Sequence, residues 1–257
     1  MSINIKNPST IDARSGKVRL FVSESFNAGK QIKIIGNQLH YLRNVMRMAR
    51  YDTILVFNGI EGEWIAEISN INRQKGIIIL KECTRIQSEK SNSWLLFAPL
   101  KSSRTDFLIE KSTEIGVGNL VPLITDYTQT KRFNVEKHYK NAVEAAEQCG
   151  RLDVPIISSL STLDSILKSW PSDRLLFFCD EQNGRALSRS LTQEGNLSEG
   201  LAFIVGPEGG FSVSERETLL ARHFIRQVSL GPFTLRSETA ALVALGMGLR
   251  SEVFTKY

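Results

Sequence analysis

Short apolar runs alternate with polar turns through the first third of the chain, and this pattern predicts a small β domain. Five runs rich in β-branched and aromatic residues are separated by glycine, asparagine and charged residues. Close spacing of short strands is typical of a barrel or a sandwich. The predicted strands are VRLFV, QIKII, TILVFN, EWIAEI and GIIIL, between Val18 and Arg85.

One segment of this region, LHYLRNVMRMAR, has helical spacing instead. Its apolar side chains recur at intervals that would turn them towards the core of the domain, and its basic side chains fall on a neighbouring face. A basic stripe of this kind suits contact with phosphates, although an ordinary solvated helix face has the same pattern. The predicted core positions are Leu39, Leu42, Val45, Met46 and Ala49, and the basic stripe comprises His40, Arg43, Arg47 and Arg50.

The pattern changes after the polar segment 85–93, which we interpret as a linker. Apolar runs of four to six residues now alternate with helical patterns, beginning with WLLFA and a helix over 103–115. Buried-type strands that alternate with helices indicate βα units and a parallel sheet covered on both faces. The second domain is therefore predicted to be α/β. Its other strands are NLVPLI, VPIIS, RLLFFC, LAFIVG and RQVSL, and its other helices cover 135–149, 163–168, 184–191, 213–222 and 238–254.

Two loops that leave predicted strands share a Gly-Pro pair. IVGPEGGFS follows one strand, VSLGPFTLRSETAALVALG follows the next, and each leads into a helix. Ser212 with Glu215 predicts a capping box at the first helix, and Glu238 favours the first turn of the second. Ligands of open α/β sheets bind beyond the carboxyl ends of strands, so the loops would form one pocket if their strands are near neighbours. A tight connecting turn is the alternative for either loop alone.

The first loop, Gly206–Gly210, is poorly suited to phosphate. The motifs GxxxxGK[ST] and GxGxxG are absent from the sequence. Pro207 removes a backbone donor, and Glu208 places a negative charge where an anion would have to bind. A neutral or locally cationic ligand held by backbone groups fits better, and a nucleoside that carries a sulfonium is one such ligand.

Arg236 lies at the threshold of the last helix, where the helix dipole disfavours a cation by a few tenths of a kcal/mol or more. It therefore needs a partner. Glu208 or Glu238 could supply one in a structural ion pair, or the partner is a negative charge that develops on a substrate. The residues alone leave both interpretations open.

Composition narrows the class of protein. The 42% hydrophobic and 23% charged fractions are those of an ordinary globular protein, and the amino terminus lacks the features of a secretory signal. The cysteines and histidines show no ligand spacing, so we expect no metal site and free, buried thiols in a cytoplasmic protein. No segment resembles a membrane span. The cysteines are Cys83, Cys149 and Cys179, and the histidines are His40, His138 and His223.

The net charge of +5 is unevenly distributed. Residues 1–90 contain fourteen Lys and Arg against eight Asp and Glu, whereas the remainder contains eighteen against nineteen. This asymmetry is expected when one segment meets a polyanion, although a chance imbalance on a solvated surface fits the charge count equally well.

Several motifs together resemble one family. GPEGGFS, LGPFTLRSETAAL, KSSRTDFLIEKSTEIGV followed by VPL, AVEAAEQCGR, and VRLFV with HYLRNVMRM occur in the order found in the RsmE family. These are bacterial methyltransferases of the SPOUT superfamily that methylate N3 of one uridine in 16S ribosomal RNA. The resemblance extends from about Val18 to Phe254. One departure is Phe233, where the family usually has a basic residue.

The resemblance implies a PUA-like, RNA-binding barrel over 17–88 and, over 92–257, an α/β methyltransferase domain with a trefoil knot. It also implies a homodimer, S-adenosylmethionine (SAM) as cofactor and the small ribosomal subunit as partner. The cofactor contacts carried over from the family are Gly206, Pro207, Glu208, Gly209, Gly210, Leu230, Gly231, Leu235, Arg236 and Thr239.

The reaction requires removal of the N3 proton of uracil and stabilisation of the resulting charge. We expect Arg236 to stabilise that charge, with Glu238 as general base or as the group that orients Arg236. The base must be unpaired or flipped out, because N3 is hidden in a base pair. The expected RNA contacts are Arg19, His40, Arg43, Arg47, Lys101, Arg104, Gln148 and Arg151, although Gln148 and Arg151, with Glu147, could equally cap their helix.

Two other functions remain open at this point. A non-catalytic RNA-binding protein could keep the barrel and lose the chemistry, but the intact GPEGG and LRSETA motifs disfavour it. A related enzyme that methylates tRNA would differ only in substrate. A Rossmann-type methyltransferase and a radical enzyme are disfavoured, because GxGxG after a strand and CxxxCxxC are both absent.

Overall fold

The computed structural model describes residues 18–180, 182–194 and 200–255, with side chains described as far as residue 249. The chain forms two compact units. One ends at Glu89 and also includes Gly150–Asp153, and the other contains Lys90–Cys149 and the chain from Val154 onwards.

The first unit is built on a five-stranded sheet with the order β1-β3-β4-β5-β2. β1 pairs with β3 in parallel, and the other neighbouring pairs are antiparallel. One apolar side of the sheet and the short helix enclose a core that includes Leu20, Ile32, Ile54 and Ile78. The predicted strands are confirmed: β1 is Arg19–Phe21, β2 Gln31–Ile34, β3 Thr53–Phe57, β4 Glu63–Ile71 and β5 Gly76–Arg85.

The helix predicted across LHYLRNVMRMAR is shorter than expected. α1 covers Gly36–His40 and continues as one π-helical turn over Tyr41–Val45, after which the chain unwinds. Leu39 and Leu42 are buried as predicted, but Val45 and Met46 are exposed. Arg47 takes a left-handed φ of 53°, which ends the helical path and brings Met48 against the core instead. The predicted continuous basic stripe is therefore wrong beyond Val45.

The second unit is an α/β layer structure around an eight-stranded sheet in which every described pair is parallel. The strand order is β11-β13-β10-β12-β6-β7-β8, with β9 also paired to β7. The strands are β6 Trp94–Phe97, β7 Asn119–Ile124, β8 Ile156–Ile157, β9 Ser161–Thr162, β10 Leu176–Cys179, β11 Arg185–Ala186, β12 Ala202–Val205 and β13 Ile225–Ser229. The helices are α2 Ser102–Ile115, α3 Val135–Cys149, α4 Leu163–Lys168, α5 Leu187–Glu194, α6 Val213–Leu220 and α7 Ser237–Thr255.

Helices cover both faces of this sheet, as the continuous apolar strands predict. Phe177 and Phe203 face one core, which contains side chains of α2, α3, α5 and α7. Phe178 and Ile204, the next residues along the same strands, face a second core with side chains of α4 and α6. The alternation follows from the period of two in a strand. Two cores fix the central strands, whose carboxyl ends carry the loops described below.

Candidate active site

The two Gly-Pro loops lie at the same edge of the parallel sheet, but their strands are not direct neighbours. β10 lies between β12 and β13 and pairs in parallel with both. The carboxyl ends of these three strands therefore meet at one cleft of about 270 Å³. The cleft is lined by Gly206, Pro207, Glu208, Gly209, Gly210, Leu230, Gly231, Leu235 and Arg236, and by Cys179, Asp180, Arg216, Phe233 and Ser237.

Glycine is required in the first loop for packing as well as for access. A Cβ atom on Gly206 would lie 2.8 Å from the ring of Phe211, a distance that real Cβ atoms do not adopt. Gly210 has a φ of 69°, in the left-handed region. The sequence alone predicts that the space beside these glycines serves a ligand, but at Gly206 the ring of Phe211 takes it.

The loop then enters α6 through the predicted capping box. The Ser212 hydroxyl accepts a hydrogen bond from the Glu215 amide at 3.3 Å, and the Glu215 carboxylate accepts one from the Ser212 amide at 2.9 Å. The other oxygen of Glu215 accepts a hydrogen bond from the Asp126 amide at 2.8 Å. These bonds satisfy amide groups at the helix start and hold the loop in place.

A hydrogen bond joins the two loops. The hydroxyl of Ser237, the first residue of α7, donates to the carbonyl of Gly206 at 2.7 Å. The second loop is otherwise open, since Phe233 is 81% exposed and Thr234 and Arg236 are also exposed. The hydrogen bond from Ser237 to Gly206 therefore ties the start of α7 to the end of β12.

Arg104, near the start of α2, pairs with a carboxylate from each loop. Its Nε donates to Glu238 Oε1 at 3.0 Å, its Nη2 donates to Glu238 Oε2, and its Nη1 donates to Glu208 Oε1. The hydrogen bond from Arg104 lowers the pKa of Glu238 although burial opposes the charge, and the same bond raises the pKa of Arg104. The lowered pKa makes the Glu238 carboxylate a weak base, and Arg104 occupies both of its oxygens, so a role as general base is disfavoured.

Arg236 is not paired with either of its two candidate partners. Within the described residues it takes part in no salt bridge, and Glu208 and Glu238 are both bound to Arg104 instead. Arg236 is near enough for its charge to help lower the pKa of Glu238, although burial and the pairing with Arg104 have larger effects on this pKa. Its guanidinium group is exposed at the cleft and available to a ligand.

Asp180, which the sequence analysis missed, anchors the base of the cleft. It follows β10 directly and accepts hydrogen bonds from Arg216 at 2.7 and 2.6 Å and from Gln227 at 2.6 Å. Burial opposes its charge, but the hydrogen bonds from Arg216, from the amide of Gln182 and from Gln227 lower its pKa. A carboxylate directly after the apolar run that forms β10, in RLLFFCD, was the available signal.

Most of the residues predicted to bind the cofactor lie together. Nine of the ten line the cleft, and the exception, Thr239, is exposed in the first turn of α7. Of the RNA contacts predicted in the second unit, Lys101 and Gln148 are exposed, whereas Arg104 is occupied by the two carboxylates.

The RNA contacts predicted in the first unit divide into two groups. The side chain of Arg19 is 8% exposed; it pairs with Glu63 at 2.8 Å, lies over the ring of Phe57 and donates to the carbonyl of Arg151 at 2.7 Å. Arg151 itself pairs with Asp153 at 3.1 Å. These contacts give Arg19 and Arg151 structural roles. His40 and Arg47, by contrast, are exposed, and Arg43 is partly exposed.

The prediction of buried thiols is partly wrong. Cys83 and Cys149 are exposed, because Cys83 lies on the outer side of β5 and Cys149 ends α3. Cys179 lines the cleft, and burial raises the pKa of its thiol to about 12. Among the described residues, no group of three or more His, Cys, Asp or Glu side chains could hold a metal ion, and no helix is long and apolar enough to cross a membrane.

Comparisons with known proteins identify the family. The RNA methyltransferase domain family matches residues 87–248, and the RNA methyltransferase PUA domain family matches residues 34–81. Ribosomal RNA small subunit methyltransferase E from Rickettsia conorii is 31% identical over 228 residues, which cover 88% of this chain and 93% of the relative. The protein of the same name from Bacillus subtilis is 28% identical over 82% of this chain and 87% of the relative.

Solved structures agree with this result. A putative methyltransferase from Legionella pneumophila in complex with SAM matches 91% of this chain and 98% of its own, with a TM-score of 0.82 and 25% identity. Ribosomal RNA small subunit methyltransferase E from Neisseria gonorrhoeae, bound to SAM, matches 90% of this chain and 96% of its own. The TM-score of 0.80, with 24% identity, shows that the two share a fold. The chain therefore belongs to the ribosomal RNA small subunit methyltransferase E family, as the order of its motifs indicates.

Proposed function

We propose that this protein transfers a methyl group from SAM to N3 of a uridine in 16S ribosomal RNA. The observation that carries the proposal is the cleft at the ends of β10, β12 and β13, beside which Arg236 is exposed and, in the part of the chain that the structure describes, has no salt-bridge partner. The family, the RNA methyltransferase match and the SAM named for the Legionella relative support it. The trefoil knot stays a prediction.

The residues of the cleft fit SAM better than they fit a phosphate ligand. The loops offer backbone groups of Gly206–Gly210, Leu230 and Gly231 to the nucleoside, and Leu235 offers an apolar surface. The carboxylate of Glu208 lies at the cleft even though it is paired with Arg104. Its negative charge favours a cationic ligand over an anionic one. When bound, SAM supplies an electrophilic methyl group.

Arg236 is the residue that we assign to the chemistry. Loss of the N3 proton to solvent water leaves a negative charge shared between the N3 atom and the two neighbouring carbonyl oxygens of uracil. An unpaired guanidinium donates to such oxygens and lowers the energy of the charged form. Glu238 acts indirectly, as an anion beside Arg236, because its pKa is lowered and Arg104 occupies both of its oxygens.

The RNA surface that we propose on the first unit surrounds α1. His40, Arg43 and Arg47 present basic side chains, and Arg50 lies 4.6 Å from the ring of Tyr51, which is 65% exposed. Phosphates would contact the basic groups, and an unpaired base could stack on the ring. Arg19 and Arg151 are not part of this surface, whereas Lys101 and Gln148 are exposed contacts on the second unit.

We further propose that the protein acts as a homodimer. α7 carries no charged residue between Glu238 and Arg250, and its Leu242, Val243 and Met247 are only partly buried in a single chain. A helix that is apolar on every side is normally buried on every side. A second copy of the chain would cover the remaining face.

One experiment tests the reaction and its substrate. Labelled SAM is supplied with small ribosomal subunits that lack the modification, with naked ribosomal RNA and with tRNA. We expect label in the ribosomal RNA and an arrest of reverse transcription at the modified base, because an N3 methyl group blocks pairing. Label only in tRNA would favour the related tRNA enzyme, and no label with SAM bound would favour a non-catalytic RNA-binding protein.

A second experiment tests Arg236. We expect Arg236→Ala to lower the single-turnover rate by about 100-fold or more, because it removes one donor to a developing negative charge. SAM affinity should change much less. A near-normal rate with SAM binding intact would remove Arg236 from the mechanism.

A further inference from the structure

Arg104 connects three separate parts of the second unit. It lies on α2, Glu208 lies in the loop after β12, and Glu238 lies in the first turn of α7. All three nitrogen atoms of its guanidinium group donate to these two carboxylates. The side chain of Glu238 is only 12% exposed and that of Arg104 26%, so water weakens the pair of Arg104 with Glu238 less than at an open surface, whereas Glu208 is 41% exposed.

The same two carboxylates are candidate partners for Arg236. Glu238 is two residues further along the chain and close enough for the charge of Arg236 to help lower its pKa, and Glu208 lines the same cleft as Arg236. The Ser237 hydroxyl holds the start of α7 against Gly206, two residues before Glu208. A carboxylate without another partner would attract the exposed guanidinium group of Arg236. An Arg236 bound in that way would have to break a salt bridge before it could meet a substrate.

We propose that Arg104 is a positioning residue that keeps Arg236 free for the substrate by occupying both Glu208 and Glu238. The two arginines and two glutamates then form an arrangement in which one arginine is fixed and the other is available. Arg104 thereby also joins the two loops of the cleft to α2. This inference rests on the proposed function of Arg236.

The occupied guanidinium group also argues against a phosphate contact for Arg104. An arginine that neutralises a phosphate releases counterions, and its removal reduces the salt dependence of RNA binding by about one unit of slope. An arginine that is already neutralised by two carboxylates contributes little to that slope. The two roles are therefore distinguishable by experiment.

Arg104→Met keeps the apolar stem of the side chain and removes its charge. We expect the single-turnover rate at saturating SAM to fall by about ten- to a hundredfold, as for other displaced catalytic groups. The KM for RNA and the salt dependence of RNA binding should be unchanged. Arg104→Lys should lie between Arg104→Met and the wild type. A matched control is Lys111→Met on the same helix, where the lysine also bridges two carboxylates, Glu110 and Glu114, and where we expect no change in rate.

The decisive variant is the double replacement Arg104→Met with Glu208→Gln. Removing one competing carboxylate should restore several-fold of the lost rate, which a merely structural role for Arg104 would not allow. A double variant no faster than Arg104→Met overturns the inference, as does a loss of RNA affinity with a reduced salt slope in Arg104→Met. A crystal structure of Arg104→Met gives a readout that does not depend on activity. In this structure Arg236 should lie within salt-bridge distance of Glu208 or Glu238. An Arg236 that stays unpaired overturns the inference even if the protein proves not to be a methyltransferase.

Discussion

The cleft and the surface around α1 differ in how their charged groups are held. In the cleft, Asp180 binds Arg216 and Gln227, and Arg104 binds two carboxylates, so most charges are paired inside the chain. Around α1, Arg47 is exposed and Arg50 contacts only the neighbouring Tyr51 ring among the described interactions.

This difference matches two kinds of recognition. A small cofactor and a reacting base need groups fixed within fractions of an ångström, and networks of buried partners provide that order. A long polyanion can be held by mobile side chains that each neutralise one phosphate. We therefore expect replacements in the cleft to have large, non-additive effects and replacements around α1 to have small, additive ones.

The largest effect is expected for Asp180→Asn. The Asp180 side chain is 1% exposed and bound to Arg216, so the replacement leaves a largely buried guanidinium group without its counter-charge. Loss of one partner from such a pair costs about 3 kcal/mol of the free energy of unfolding. Urea denaturation measures this value, and calorimetry should show weaker SAM binding, because Asp180 lines the cleft.

The exposed pair of Glu136 and Lys140 on α3 provides the matched control for Asp180. We expect Glu136→Gln to leave the urea midpoint unchanged, since both side chains are well solvated. Equal effects of the two replacements would contradict the view that the cleft is the region held by buried charge.

A smaller effect is expected on acidification. The pKa of Asp180 is lower in the folded protein than in the unfolded chain, where an aspartate titrates near 4. The unfolded chain therefore takes up this proton first as the pH falls. The stabilisation from Asp180 is complete above about pH 5 and is lost as the pH falls below about 4 towards the folded pKa.

Urea midpoints measured from pH 7 to pH 3 test this dependence. The wild type should lose stability faster than Asp180→Asn below about pH 4, so that the difference between them narrows. A constant difference across this range would show that Asp180 does not titrate as the structure indicates.

The strands and the two loops could be predicted because their signals are local. Apolar runs, Gly-Pro pairs and the Ser212 with Glu215 capping box each lie within a few residues of one another, and the structure confirms them. The end of the α1 region could not be predicted, because Arg47 adopts its positive φ without a glycine or proline to signal it. Packing of Met48 against the core outweighed the helix propensity of the segment.

The pairing inside the cleft could not be predicted because its partners are far apart in sequence. Arg104 is 134 residues from Glu238, and Asp180 is 36 residues from Arg216. The sequence narrowed the partner of Arg236 to Glu208, Glu238 or a substrate. It gave no sign that Arg104, expected to contact RNA, would hold both carboxylates. The strand order β13-β10-β12-β6 brings these side chains together, because α2 follows β6 and β6 pairs with β12.

The smallest effects are expected around α1, and they sharpen the comparison most. Arg47→Ala and Arg50→Ala should each weaken binding of the small subunit RNA by a few-fold and reduce its salt slope by about one unit. The double variant should show the sum of the two free-energy changes, because each arginine acts through its own phosphate. Filter binding across a range of salt concentrations measures both quantities.

Lys81→Ala is the control for this surface, because Lys81 is a basic residue of the same unit that is paired with Glu67 at 3.2 Å. It should leave the salt slope unchanged. If Arg47→Ala and Arg50→Ala behave like Lys81→Ala, the basic residues around α1 are an ordinary solvated surface. If their effects are strongly non-additive, the residues form an ordered network on binding, and the contrast with the cleft would hold only for the free protein.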